Sequence, residues 1–249
     1  MFDGTWIPIA ATMNGAALPV EILQRTRVLF TGDKYMATAN ETHDHGTIVW
    51  DAAANPPTVT VTGVEGPNAG RTMLAIYRHE ARAEGDHLTV CYDLQGREFP
   101  AEFSAPADSG RYLVTYRRMK RITGLGGVFF KAQDSATLRD WYQRHLGIQA
   151  DSYGGGTFGT SFNWRDYDNP SVTGSTVWSI FTRESNYFDQ PLMLNYRVEN
   201  LDAVLDELRA EGVWIDDKRE DGDFGRFAWI KDGEGNRIEL WQPPAEGTC

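Results

Sequence analysis

The stretch Asp-Gly-Glu-Gly-Asn-Arg-Ile-Glu-Leu-Trp-Gln-Pro-Pro, residues 232–244, sets one carboxylate, Glu239, between Ile238 and Leu240 and two residues from Trp241. A glutamate so placed is either a solvated strand residue or a ligand or general base aimed into a cleft. Strand alternation bears on the choice, because successive side chains point to opposite faces. Ile238 and Leu240 belong to one apolar face, together with Val128 and Phe130 of "GGVFFKAQ" and with Leu194, Tyr196 and Val198 of "LMLNYRV". The other face then carries Gly127, Phe129 and Lys131 in the first of these strands and Met193, Asn195 and Arg197 in the second. The closing strand adds Arg237, Glu239 and Trp241, and "STVWSIFTR" adds Val177, Ser179 and Phe181 on the same pattern. Glu239 is therefore expected to face a cleft walled by Phe129, Phe181, Met193 and Trp241, with Lys131, Ser179, Asn195, Arg197 and Arg237 as its polar groups. Few polar groups among aromatic walls are the make-up of a small-molecule pocket. The bland alternative pairs Glu239 with Arg197 or Arg237 and neutralises a half-buried patch.

The elements that must position these residues fall into two halves. Residues 1 to about 120 read as short strands rich in Val, Thr, Tyr and Phe, broken by Gly-Asp, Gly-Pro-Asn and Asp-Ser-Gly, with one short helix at "PVEILQRTR". That pattern predicts a small antiparallel barrel or sandwich. "KRITGLGG" reads as a linker, at about 121–127, and beyond it strand and helix signals alternate. Asp134 caps a helix in which Leu138, Trp141, Tyr142 and Leu146 recur until Gly147. Asn200 caps a second in which Leu201, Val204, Leu205 and Leu208 recur until Gly212. The two units repeat at about 65 residues, each one strand and one helix followed by further strands.

The pair "GGVFFKAQDSATLRDWYQRHLGI" and "LNYRVENLDAVLDELRAEGV", closed by "GRFAWIKDGEGNRIELWQPP", resembles the vicinal oxygen chelate superfamily, the glyoxalase, bleomycin resistance protein and dioxygenase group. The resemblance runs over about 125–244 and implies an α+β fold of two βαβββ modules, about 126–183 and 191–243, around an open cleft. In metal-dependent members two positions from each module hold a divalent ion. Carried over, those positions fall on Gly127, near Ser179, on Met193 and on Glu239. Glycine has no donor, serine is a poor ligand and a thioether is too soft for the usual ions, so the metal centre is expected to be absent and no cofactor is expected. The first half, through "GTWIPIAATMNGAALPVE" and a closing "YRR", is similar to a lipocalin-like domain of uncharacterised bacterial proteins. That likeness implies an arginine of the Arg117-Arg118 pair packed over Trp6.

Composition narrows the partners. A net charge of −11 over 249 residues argues against a nucleic-acid backbone. No apolar run approaches the roughly 18 residues of a spanning helix, and the expectation is a cytoplasmic protein with no membrane partner. Cys91 reads as a small buried hydrophobe, and with Cys249 as the other cysteine no disulfide framework is expected. His43 and His45 of "THDHG" share a strand face but lack a third ligand. "YGGGTFG" reads as a flexible loop and "FNWRDYDNP" as core and loop anchors. "DDKREDGD", 216–223, reads as a solvated loop bordering the cleft, with Arg226 after it a candidate substrate contact. Three functions follow: metal-free binding of a small organic molecule; a lyase, isomerase or dioxygenase with Glu239 as base or sole anchor of an ion; or a non-catalytic binding and assembly protein. One two-module domain per chain also leaves a homodimer open.

Overall fold

Val, Thr and Tyr runs cut by turns leave no room for long helices before residue 119, and the computed structural model shows strands there almost throughout. It describes residues 2–82, 85–166 and 170–244; Cys249 and part of "FNWRDYDNP" lie outside these. The chain divides into two units, Met1–Met119 and Lys120–Cys249.

The first unit holds β1 (Gly4–Met13), β2 (Ala16–Ala17), α1 (Val20–Gln24), β3 (Thr26–Thr31), β4 (Lys34–Ala39) and β5 (Thr42–Asp51). It continues with β6 (Thr58–Glu65), β7 (Thr72–Arg82), β8 (Gly85–Asp93) and β9 (Arg111–Arg118). Each of β3 to β8 pairs antiparallel with its successor, β1 pairs with both β3 and β9, and an eight-stranded barrel closes, with β2 added on β1. Closure removes the exposed edges an open sheet would present. Its interior is packed by Trp6, Phe30, Ile48, Leu88, Val90 and Val114 among others. The Arg118 guanidinium lies 5.7 Å from the Trp6 ring centroid, as the sequence leads one to expect. His43 and His45 open β5 with ring centroids 6.3 Å apart, and a ring nitrogen of His43 is hydrogen-bonded with the Thr38 hydroxyl. Cys91 is buried, its thiol donating to the Ser104 carbonyl, and burial pushes its pKa up.

The second unit holds β10 (Ile122–Ala132), α2 (Ser135–Leu146), β11 (Asp151–Gly154), β12 (Thr157–Arg165) and β13 (Thr173–Thr182). The same order then recurs as β14 (Leu192–Val198), α3 (Leu201–Ala210), β15 (Ile215–Gly222), β16 (Gly225–Lys231) and β17 (Arg237–Gln242). These make one mixed sheet, β11-β12-β13-β10-β14-β17-β16-β15. It is symmetric about its centre: β10 and β14 run antiparallel, while β10 with β13 and β14 with β17 run parallel. Asp134 accepts from the Thr137 amide and Asn200 from the Ala203 amide, so both helices begin at the expected caps.

Three expectations need correction. Residues 122–127 are not a linker but the first half of β10, paired with β14. Their glycines are there for space: a Cβ at Gly124 would meet Trp164, and one at Gly126 would meet Asn195 and Trp241. Residues 216–222 are likewise not a loop but most of the edge strand β15; charged side chains on an edge strand discourage pairing with other chains. "YGGGTFG" is not a loop throughout but spans the end of β11, a turn at Gly155 and Gly156 and the start of β12, its three consecutive glycines all at positive φ. Among the described residues no helix is long and apolar enough to cross a membrane.

Candidate functional site

The register brings the cleft-face residues together as alternation requires. Phe129 lies opposite Ser179 on one side and Met193 on the other, Asn195 opposite Glu239, and Glu239 opposite Trp229. Glu239 is 1% exposed. Its Oε1 accepts from the Asn195 amide at 2.6 Å, and its Oε2 accepts from the Tyr187 hydroxyl at 2.5 Å and the Trp229 indole at 3.0 Å. All three donors are neutral. Burial raises the Glu239 pKa, the three hydrogen bonds oppose the rise, and the charge of Glu220 adds to it. The Tyr187 hydroxyl is itself pushed well up by burial and by the carboxylate beside it.

The space around Glu239 is packed with side chains. Phe129, Phe188, Met193 and Trp229 are buried against one another, with Phe181, Tyr187 and Phe227 packed onto them. Tyr187 and Phe188 come from the 183–191 connection between β13 and β14, where Tyr187 stacks on Phe181 with ring centroids 5.7 Å apart. Lys131 holds that connection down: its Nζ donates to the Ser185 carbonyl at 2.7 Å and lies 5.2 Å from the Phe188 ring. From β15, Lys218 lies 4.7 Å from the Trp229 ring centroid and Asp216 pairs with Arg237 at 2.7 Å.

The residues at the four carried-over positions do not fit a metal ion. Ser179, Met193 and Glu239 are all nearly inaccessible, and a Cβ on Gly127 would strike the Phe129 ring. Only Glu239 is a ligand of the usual kind, and both its oxygens already have donors. His145 lies on α2, and His43, His45, His79 and His87 belong to the first unit.

The same strands end differently. Beyond Asn195 and Glu239, Arg197 of β14 pairs with Trp241 of β17 and both are half-exposed. They border a recess in two adjoining lobes, of about 570 and 650 Å³, that share Trp164, Arg197, Pro243 and Pro244. The Arg197 guanidinium lies 5.6 Å from the Trp164 ring centroid and donates to the Thr173 carbonyl at 3.3 Å. The Trp164 indole is fixed by the Thr176 hydroxyl, and that of Trp241 by the Phe224 carbonyl.

Of the residues singled out from sequence, the structure gathers Phe129, Ser179, Phe181, Met193, Asn195 and Glu239 in the packed cluster, with Lys131 and Arg237 at its rim. Arg197 and Trp241 stand apart at the recess. Arg226 joins neither; it is tied to Asp202 in the first turn of α3 and to Asp221. Glu239 pairs with neither Arg197 nor Arg237, so the bland alternative is corrected in its partners: the carboxylate is held by neutral groups. Sequence reasoning missed Tyr187, Phe188, Trp229 and Trp164. Trp229 was within reach, since alternation in "GRFAWIK" puts it beside Phe227 on one face; Tyr187 and Phe188 lie in a connection with no periodicity.

No protein-family model matches the sequence, and no curated protein matches it. Solved structures similar to the chain include a methylmalonyl-CoA epimerase from Mycobacterium tuberculosis, 22% identical with a TM-score of 0.36, covering 51% of this chain and 92% of that one. Another is a methylmalonyl-CoA epimerase from Streptomyces coelicolor, 16% identical with a TM-score of 0.38, covering 50% and 99%. A third is an NAD-dependent benzaldehyde dehydrogenase from Legionella pneumophila, 13% identical with a TM-score of 0.34, covering 47% and 98%. Likenesses of this degree carry no argument about activity or ligand.

Proposed function

We propose that the second unit is a glyoxalase/bleomycin-resistance-like module that binds a small organic molecule without the metal centre of the vicinal oxygen chelate superfamily, and that the first unit is a lipocalin-like barrel. The observation that carries the binding role is the recess at the Trp164, Arg197 and Trp241 end of the sheet. The size of each lobe falls in the range of small-molecule pockets, roughly 300–1,000 Å³, and indole and proline walls alternate there with polar and charged side chains, Arg197 among them. The paired βαβββ order and the Asp-Gly-Glu-Gly-Asn-Arg-Ile-Glu-Leu stretch support the superfamily. Glu239 takes a structural part: one carboxylate fastens the 183–191 connection, β14 and β16 through three neutral donors.

The test joins elemental analysis of unchelated protein, wild type beside Glu239→Gln, to a fragment screen by thermal shift. The expected result is substoichiometric metal in both proteins and fragments that stabilise wild type but not Trp164→Ala. Stoichiometric metal lost in Glu239→Gln overturns the metal-free part. A screen in which no fragment distinguishes Trp164→Ala from wild type overturns the site.

A further inference from the structure

Half-buried guanidinium groups in an acidic chain ordinarily find carboxylates, because a partly desolvated cation left unpaired is costly. The second unit shows this four times. Arg121 is held by Glu207 and Glu211, Arg139 by Asp140, Arg226 by Asp202 and Asp221, and Arg237 by Asp216. Arg197 is buried to a similar degree and forms no ion pair among the described residues. Its one hydrogen bond goes to the Thr173 carbonyl, and a guanidinium has five N–H donors.

The surroundings of Arg197 leave close-fitting room for it beside Trp164. A Cβ on Gly174 would come within 2.4 Å of the Trp164 ring and 2.6 Å of Arg197 Nη1, and one on Gly124 within 3.0 Å of Trp164. These glycines leave the room that the Trp164 ring and the guanidinium occupy, the guanidinium carbon lying 5.6 Å from the ring centroid. The N–H donors of a guanidinium lie in its own plane as a fixed fork, and Arg197 uses Nη1 on the Thr173 carbonyl. The lobe on this side is also bordered by Arg165, whose Nη1 donates to the Pro170 carbonyl, and among the described residues its lining has no acidic side chain. The adjoining lobe contains Asp166 and Glu199. One lobe thus favours a negative group, while the acids next door disfavour a dianion such as phosphate.

We propose that the recess binds a planar aromatic carboxylate, its two oxygens held by Arg197 with help from Arg165, and its ring against Trp164 and Trp241. This rests on the reading of the recess as a small-molecule site and names the ligand class. A single guanidinium fork matches the two coplanar oxygens of a carboxylate.

The test uses full-length protein with 15N-labelled tryptophan, the Trp164 and Trp241 indole signals being assigned with Trp→Phe variants. Three probes of one shape are titrated: 2-naphthoate, 2-naphthamide and 2-naphthylmethylammonium. The expected result is that 2-naphthoate moves both indole signals and binds about tenfold or more tighter than the amide, as a charge-assisted pair should give. Arg197→Met should bring naphthoate and amide together, Arg197→Lys should keep part of the preference, and Arg165→Gln should weaken naphthoate less than Arg197→Met does. Retained thermal stability in each variant separates lost recognition from lost fold. Binding of the amide or ammonium as tight as the carboxylate, or a preference that survives Arg197→Met, overturns the proposal while the recess stands as a small-molecule site. Silence of both signals to all three probes overturns the proposal and the site together.

Discussion

Two ends of the same pair of strands, β14 and β17, show what the neighbours of a charged side chain decide. At one end Asn195 and Glu239 lie under Phe129, Tyr187, Phe188 and Trp229, and the carboxylate is out of reach of water. Two residues further on, Arg197 and Trp241 border an open recess, and the guanidinium has no carboxylate among the described residues. The buried acid has every lone pair it needs occupied by neutral donors, whereas the half-buried base has donors to spare. The first is the pattern of a group that holds structure together, the second of one that waits for a ligand. The lesson is that cleft-facing direction, which the two ends share, does not make a site; unfilled space and unsatisfied hydrogen-bonding capacity do.

The contrast is broken most forcefully at Trp229. Trp229→Ala empties the centre of the cluster and removes one donor to Glu239, and it should cost about 3–5 kcal/mol, the usual range for deleting a buried tryptophan. Urea denaturation measures it; a loss under about 1 kcal/mol, the scale of an ordinary surface change, would mean that the cleft is not a packed core. Glu239→Ala should come next, at about 3 kcal/mol, because it strands the Tyr187, Asn195 and Trp229 donors in a buried place. Tyr187→Phe takes away a single hydroxyl and should cost about 1–2 kcal/mol. If it costs nothing, the 183–191 connection is not fastened through Glu239.

The acid also leaves a signature in pH. Glu239 has its folded pKa raised above the ordinary 4.5. Between those values the folded state binds more protons than the unfolded one, so the Glu239 contribution to stability is greatest below about 4.5 and declines as pH rises through the raised value. Asp93, Asp134, Asp216 and Asp232 have lowered values and contribute the opposite slope. Glu239→Gln isolates the effect: the wild-type stability minus that of the variant should fall as pH increases over that window and level off above it. A difference that stays flat or rises would show that the three hydrogen bonds outweigh burial.

Much of this arrangement is legible in the sequence, and what is not has physical reasons. The direction of Glu239 follows from the period of a strand flanked by apolar neighbours, and the helix caps from Asp134 and Asn200. The content of the cleft does not follow, because Tyr187 and Phe188 reach it from a connection whose shape depends on the Lys131 contact with Ser185. β15 is hidden because Asp, Lys and Glu are poor strand formers that are tolerated on an edge. The glycines at 124, 126 and 127 look like a linker until the rings and the amide they make room for are placed. Nor can alternation choose a partner for each charge: Arg197 and Arg237 share a face with Glu239, yet Asp216 takes Arg237 and nothing among the described residues takes Arg197.

The smallest expected effect on stability sharpens the comparison at its open end. Arg197→Met replaces a guanidinium that makes one 3.3 Å hydrogen bond by an apolar chain of similar reach over Trp164. Stability should move by no more than about 0.5 kcal/mol, the scale of surface changes that break no network. Arg237→Met is the control at the closed end, since it removes the ion-pair partner of half-buried Asp216 and uncovers Trp229, and it should cost more, about 1–2 kcal/mol. Equal losses in the two variants, measured side by side by urea denaturation, would mean that Arg197 is held by the fold as firmly as Arg237. An arginine held that firmly would serve the fold, as Arg237 does, and the contrast between the two ends would fail.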